Sequence, residues 1–161
     1  MISSIRRVVT THSPDGRSVI ADDRNFEPTS IPSGDAQFCL LWAANNLPID
    51  NNDYIDGRSL NAGLTIHQGS VIRMVDLSPQ CVSPMHRTNS LDYGIVISGK
   101  VELELDDGSI TLLSSGDVVV QRGTMHLWRN PSLTETCRIA FVLTKAEPVS
   151  INGIPFPEVH P

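Results

Sequence analysis

Between residues 70 and 143 the chain breaks into short runs rich in β-branched residues, and turn-forming residues separate them. The runs are SVIRMVDL (70–77), DYGIVISG (92–99), KVELEL (100–105), SITLL (109–113), DVVVQ (117–121) and CRIAFVL (137–143). The punctuation is SGK, DDGS, SSGD, RGT and RNPS. Short β-branched runs that alternate apolar and polar residues predict strands. Asp107-Gly108, between two alternating runs, predicts a tight hairpin. Strands this closely spaced, with no helical period between them, predict an all-β fold, a sandwich or barrel of antiparallel sheets.

The flanks are less regular. RRVVTT and RSVIADD flank SPDG and predict a hairpin. Residues 24–37 are a Pro/Gly/Ser connection, and FCLLWAA (38–44) is a buried strand candidate. Residues 45–63 form a polar loop long enough to be a lid or pocket wall. The tail NGIPFPEVHP is rich in proline, which leaves sheets rather than joining them. With 161 residues, the expectation is one domain: an irregular part over 1–65, a core barrel over about 66–145 and a Pro-rich tail over 146–161. The net charge of −6 argues against nucleic acid or an anionic membrane as partner. No apolar run reaches the length of a membrane span, and MISSIRRVVTTHS does not read as a secretory signal. Cys39, Cys81 and Cys137 lack metal-type spacing and suit buried thiols in a reducing compartment, so a cytoplasmic location is expected.

Chemistry concentrates in two stretches. SPMHRTNSLDYGIVISG (83–99) carries His86, Thr88 and Asp92 at even positions, which share a face if the backbone is extended. GDVVVQRGTMHLWRN (116–130) carries His126, with Trp128 at the same parity. A closed sheet could bring His86, Asp92 and His126 together inside. Two imidazoles and a carboxylate suit either a divalent metal or metal-free acid/base chemistry.

These stretches resemble the two motifs of the cupin family. The first motif, G-x5-H-x-H-x(3,4)-E-x6-G, is met by His86, by Thr88 in the second histidine's place, by Asp92 for the glutamate and by Gly99. The second, G-x5-P-x-G-x2-H-x3-N, is met by Gly116, Gly123, His126 and Asn130, with Gln121 in the proline's place and the first gap one residue short. A wider likeness from RRVV through LLW and MHRTNSLDYG to VVVQRGTMHLWRN suggests small single-domain cupins of bacteria and fungi, some encoded near polyketide-type biosynthetic genes. The resemblance implies a double-stranded β-helix, or jelly-roll barrel, around one small-molecule cavity. In metal-binding cupins three histidines and a glutamate hold the ion, and two of those four positions are altered here. A His86–Asp92–His126 set holding Fe, Zn or Mn is one expectation, and a metal-free acid/base site is the other.

Further lining candidates are Thr88 as a hydrogen-bonding group, Trp42 and Trp128 as planar walls, and Met74 and Met125 as adaptable filling. Met74 shares a face with Ile72 and Asp76, opposite Arg73 and Val75, and either face could be inside. Tyr93 and Arg87 read as packing and ion-pair residues, His67 as surface, and Asn130 as a turn support. The functional expectation is a lyase or isomerase acting on an aromatic or polyketide-like carbonyl or carboxylic compound. A metal-dependent dioxygenase and a non-catalytic ligand-binding cupin are the alternatives. A homodimer is the expected assembly, because pairing removes exposed sheet edges.

Overall fold

In the computed structural model of the chain, which describes residues 4–53 and 55–160, two antiparallel sheets face each other. The larger runs β3-β4-β5-β11-β6-β9, built from Thr29–Ser30, Ala36–Ala44, Ser70–Leu77, Cys137–Lys145, Ser90–Ser98 and Val118–Arg122. The smaller runs β10-β7-β8, from His126–Arg129, Lys100–Leu105 and Ile110–Ser114. Two hairpins stand apart: β1 (Ile5–His12) with β2 (Ser18–Phe26), and β12 (Ser150–Ile151) with β13 (Ile154–Pro155).

The alternation of the strands decides what goes inside. Val71, Val75 and Leu77 of β5 and Ile139, Phe141 and Leu143 of β11 are buried. Apart from Val71 they pack in one core with Val96, Val101, Leu113 and Trp128. Burying each such side chain is worth roughly 1.5–3 kcal/mol. The opposite face of β4 and β5 presents Cys39, Leu41, Ile72 and Met74, which the β1–β2 hairpin covers with Ile5 and Phe26. The expected turns occur. Gly108 takes φ +82°, and the Asp107 carboxylate accepts from the Ser109 amide at 2.9 Å. Gly99, between β6 and β7, takes φ +80°, and a Cβ there would meet Thr136 O and the Cys137 Cα at 3.0 Å.

The structure adds detail to three of these readings. The barrel does not begin near residue 66, because β3 and β4 are integral to the large sheet and β4 pairs with β5 along its length. Nor is the 45–63 loop loose at its C-terminal end. Asp56 caps the 3-10 turn Gly57–Ser59, and buried Arg7 of β1 grips its carboxylate at 2.7 and 2.8 Å. The tail leaves both sheets but returns to the body, where Val159 and Arg87 exchange two backbone hydrogen bonds of 2.9 Å. Glu158 meanwhile accepts from the Asn89 amide at 3.0 Å. Pro155 is compatible with this because β12–β13 is a two-residue ladder that needs few donors.

Candidate active site

Between the sheets lies a cavity of about 310 Å³. Its walls are mostly apolar, and its polar groups come from both sheets and from the segment before β6. On the small sheet, His126 opens β10 opposite Leu105 of β7. His86 pairs with it through backbone bonds of 2.9 and 3.0 Å, which bring the two ring centroids to 4.3 Å. Each Nδ1 lies against a carbonyl that can only accept: Pro84 O at 2.8 Å for His86 and Thr124 O at 2.9 Å for His126. Both Nδ1 atoms therefore carry hydrogen, which in a neutral ring leaves Nε2 as the acceptor. Burial holds His126 down to about 4, against the Thr124 carbonyl, which favours the cation, and with a small further push from His86. His126 is thus neutral at physiological pH.

On the large sheet, Asp92 of β6 stands opposite Gln121 of β9 and Leu143 of β11. Burial pushes its carboxyl up to about 6, against the pull of the Ser90 hydroxyl and the Arg73 charge. Asp92 Oδ1 and Gln121 Nε2 are buried without a hydrogen-bond partner. Thr88 is buried beside them on the cavity wall. Trp128 sits edge-on to His126 at 6.0 Å and to Phe141 at 5.5 Å, spanning from one sheet to the other. His86, Thr88, Asp92, His126 and Trp128 therefore share one cavity.

Trp42, Met74 and Met125 do not. A bulge between Leu40 and Trp42 pairs Trp42 with Ile72 and turns it outward, where the Arg7 guanidinium lies 5.5 Å from its ring. Met74 packs with Ile72 and Phe26 beneath the N-terminal hairpin. Met125, next to His126, points the other way into a separate surface recess with Arg87 and Phe156. Among the lining groups not singled out from sequence are Arg73, on the β5 face with Val75, and Gln121, whose only mark is its stand in place of the motif proline. Asn130 supports the turn, its amide nitrogen within 2.8–3.1 Å of the carbonyls of Leu77, Ser78 and Glu135. Tyr93 is exposed on the outer face of β6, and the three cysteines are free and buried.

The donor set does not fit a metal as the resemblance implied. Among the described residues, no group of three His, Cys, Asp or Glu side chains is arranged to hold an ion. His86 and His126 offer two imidazoles, but Asp92 does not complete a ligand triad with them. Protein zinc and iron sites take three or more such donors.

Antiparallel sheets closed over a small-molecule cavity, with a histidine pair at one wall, define a cupin barrel. Its fold is similar to the cupin domain of Schizosaccharomyces pombe Cnp3, with a TM-score of 0.56 over 87% of each chain and 10% identity. No family model matches the chain. Curated relatives do. Phomopsin biosynthesis cluster protein C' of Diaporthe leptostromiformis is 40% identical over 91% of this chain and 82% of its own length. The cupin-domain-containing oxidoreductase virC of Hypocrea virens is 37% identical over 94% and 81%. The chain belongs to this family of small cupin-domain proteins.

Proposed function

We propose that the chain is a proton-transfer enzyme, a lyase or isomerase, acting on a small carbonyl or carboxylic compound with an apolar or aromatic body. The observation that carries this reading is that Asp92 and His126, from opposite sheets, line one cavity, where burial moves the carboxyl up to about 6 and holds the imidazole neutral. A general base works best when its pKa lies near the operating pH, so Asp92 takes the proton. It leaves the carbon beside the substrate carbonyl. The bonding pair delocalises onto the carbonyl oxygen as an enolate. Asp92 then returns the proton at the γ-carbon when the substrate carries a β,γ double bond conjugated with the enolate, or gives it to a departing β-hydroxyl, which leaves as water while the enolate re-forms the carbonyl. The His126 Nε2 accepts a hydrogen bond from a substrate hydroxyl, and His86 flanks it at the less buried side. Trp128 and Phe141 supply a wall for a flat ligand.

The names of the relatives, which include biosynthesis-cluster proteins and oxidoreductases, support a place in secondary metabolism. The word oxidoreductase in those names favours a second reading, an oxidoreductase, of which a metal-dependent dioxygenase is the form that oxygen uptake tests. Proton NMR in D2O separates the two. The wild-type protein, given a panel of β-keto acids and β-hydroxy carbonyl compounds, is expected to exchange deuterium or to release water or carbon dioxide. His126→Asn is expected to do so much more slowly. Oxygen uptake at an electrode without any such exchange would overturn the proton-transfer reading. Binding with neither would leave a ligand-binding cupin. For assembly, the exposed Tyr93, Val118 and Val120 on the outer face of β6 and β9 support a homodimer, which sedimentation velocity tests.

A further inference from the structure

Arg73 is the most expensive group in the cavity. It is 9% exposed, lines the cavity wall and belongs to the large sheet, where β5 pairs it with Phe141. Its Nη2 donates to the carbonyls of Gly63 and Leu64, and its Nε has no partner. Two carbonyl dipoles satisfy hydrogens without neutralising a full charge. Asp92 lies close enough to feel that charge but makes no ion pair with it. The other buried arginine is treated differently: Arg7 also leaves its Nε without a partner, but its terminal nitrogens meet the carboxylates of Asp22 and Asp56 at 2.6 and 2.7 Å. A buried charge without a counter-charge in direct contact is destabilising, and it persists where something else supplies a close anion. The polar atoms left over at the far side, Asp92 Oδ1 and Gln121 Nε2, stand on β6 and β9, across β11 from Arg73.

We infer that the cavity takes a monoanionic ligand, a carboxylate on a small apolar or aromatic body, whose charged end is anchored by Arg73 while a second oxygen function faces Gln121 and Asp92. The anchor and the reacting group are then different ends of one molecule. This deepens the reading of the cavity as a small-molecule enzyme site and names its substrate class, an oxo or hydroxy acid.

Isothermal titration calorimetry with a matched pair of probes, 2-naphthoate and uncharged 2-naphthamide, tests it. Wild-type protein is expected to bind the acid at least about tenfold more tightly than the amide, the size of one charge-assisted contact. Arg73→Gln, which keeps an amide donor for the Gly63 and Leu64 carbonyls, is expected to abolish the preference, and Arg73→Lys to retain most of it. Equal affinities in the wild type, no binding of the acid, or a preference that survives in Arg73→Gln would overturn the inference. The wild-type comparison decides even if Arg73→Gln fails to fold. The measurement involves no turnover, so its outcome is independent of whether proton transfer is found.

Discussion

The large sheet buries charge on both of its faces, and the two faces treat it in opposite ways. On the outer face Arg7 lies under the N-terminal hairpin with its terminal nitrogens bonded to Asp22, Asp56 and the Leu41 carbonyl. The Arg7 hydrogen bonds hold Asp56 down to about 2, so every partner stays ionised. On the inner face Arg73, Asp92 and Gln121 keep unpartnered atoms, and burial moves the carboxyl and imidazole toward their neutral forms. A paired network fastens a hairpin and a loop to the barrel. An unpaired one spends stability on groups that a ligand can use.

The sharpest test of that contrast is catalytic. Asp92→Asn keeps shape and hydrogen-bonding capacity but cannot take a proton. It is expected to cut turnover at least about 100-fold, the size of general-base catalysis, with a smaller change in KM. Steady-state kinetics on the substrate found by NMR would show it, and an unchanged kcat would remove Asp92 from the chemistry. On the outer face the expectation reverses. Arg7→Met leaves Asp22 and Asp56 with the exposed Arg24 as their remaining partner and is expected to cost about 2–3 kcal/mol in urea unfolding, below the range for fully buried pairs because Asp56 is 36% exposed. The kcat of the folded fraction should stay near wild type.

Next in size is the pH dependence of stability. Asp92 has a folded pKa raised to about 6. Its stability contribution is complete below its unfolded value and is lost as pH rises through 6. His126 has a folded pKa lowered to about 4, so it contributes fully above its unfolded value near 6.5 and loses stability as pH falls through 4. Between pH 4 and 6 the two slopes oppose each other, and the wild type should show little net dependence from this pair. Asp92→Asn removes one slope. It should gain about 3 kcal/mol on the wild type at pH 8 and nothing at pH 4. His126→Asn should instead be relatively strongest in acid. Urea midpoints at pH 4, 6 and 8 would reveal both, and parallel curves for all three proteins would contradict the burial of these groups.

Much of the barrel was legible because a period-two pattern in short β-branched runs leaves few alternatives. SVIRMVDL and KVELEL are strands over the very residues the pattern gave. What escaped depends on partners. The bulge at Leu40–Trp42 has no glycine or proline to announce it, yet it turns Trp42 from the cavity to the hairpin. Arg73 and Met74 occupy opposite faces of β5, and only the hairpin packed on Met74 fixes which face is inner. His86, Asp92 and His126 could be picked out because strand parity and motif spacing agree. Their ability to hold a metal could not, since parity places side chains on a face without setting how far apart they end.

The smallest expected effect bears on that last point, and it is the one that could narrow the contrast between the faces. A divalent ion held by His86, His126 and a shifted Asp92 would supply the missing partner for Asp92 Oδ1, and the contrast between the faces would then rest on Arg73 and Gln121 alone. Arg73 would gain nothing from it, because a cation cannot neutralise a guanidinium. Elemental analysis of the purified, untagged protein by inductively coupled plasma mass spectrometry, before and after dialysis against EDTA, is expected to find well under one metal per chain. Turnover and the urea midpoint should be unchanged by chelation. About one iron or zinc per chain, lost in His126→Ala together with activity, would mean that the cavity rearranges around an ion. The raised carboxyl and neutral imidazole would then describe only the metal-free form.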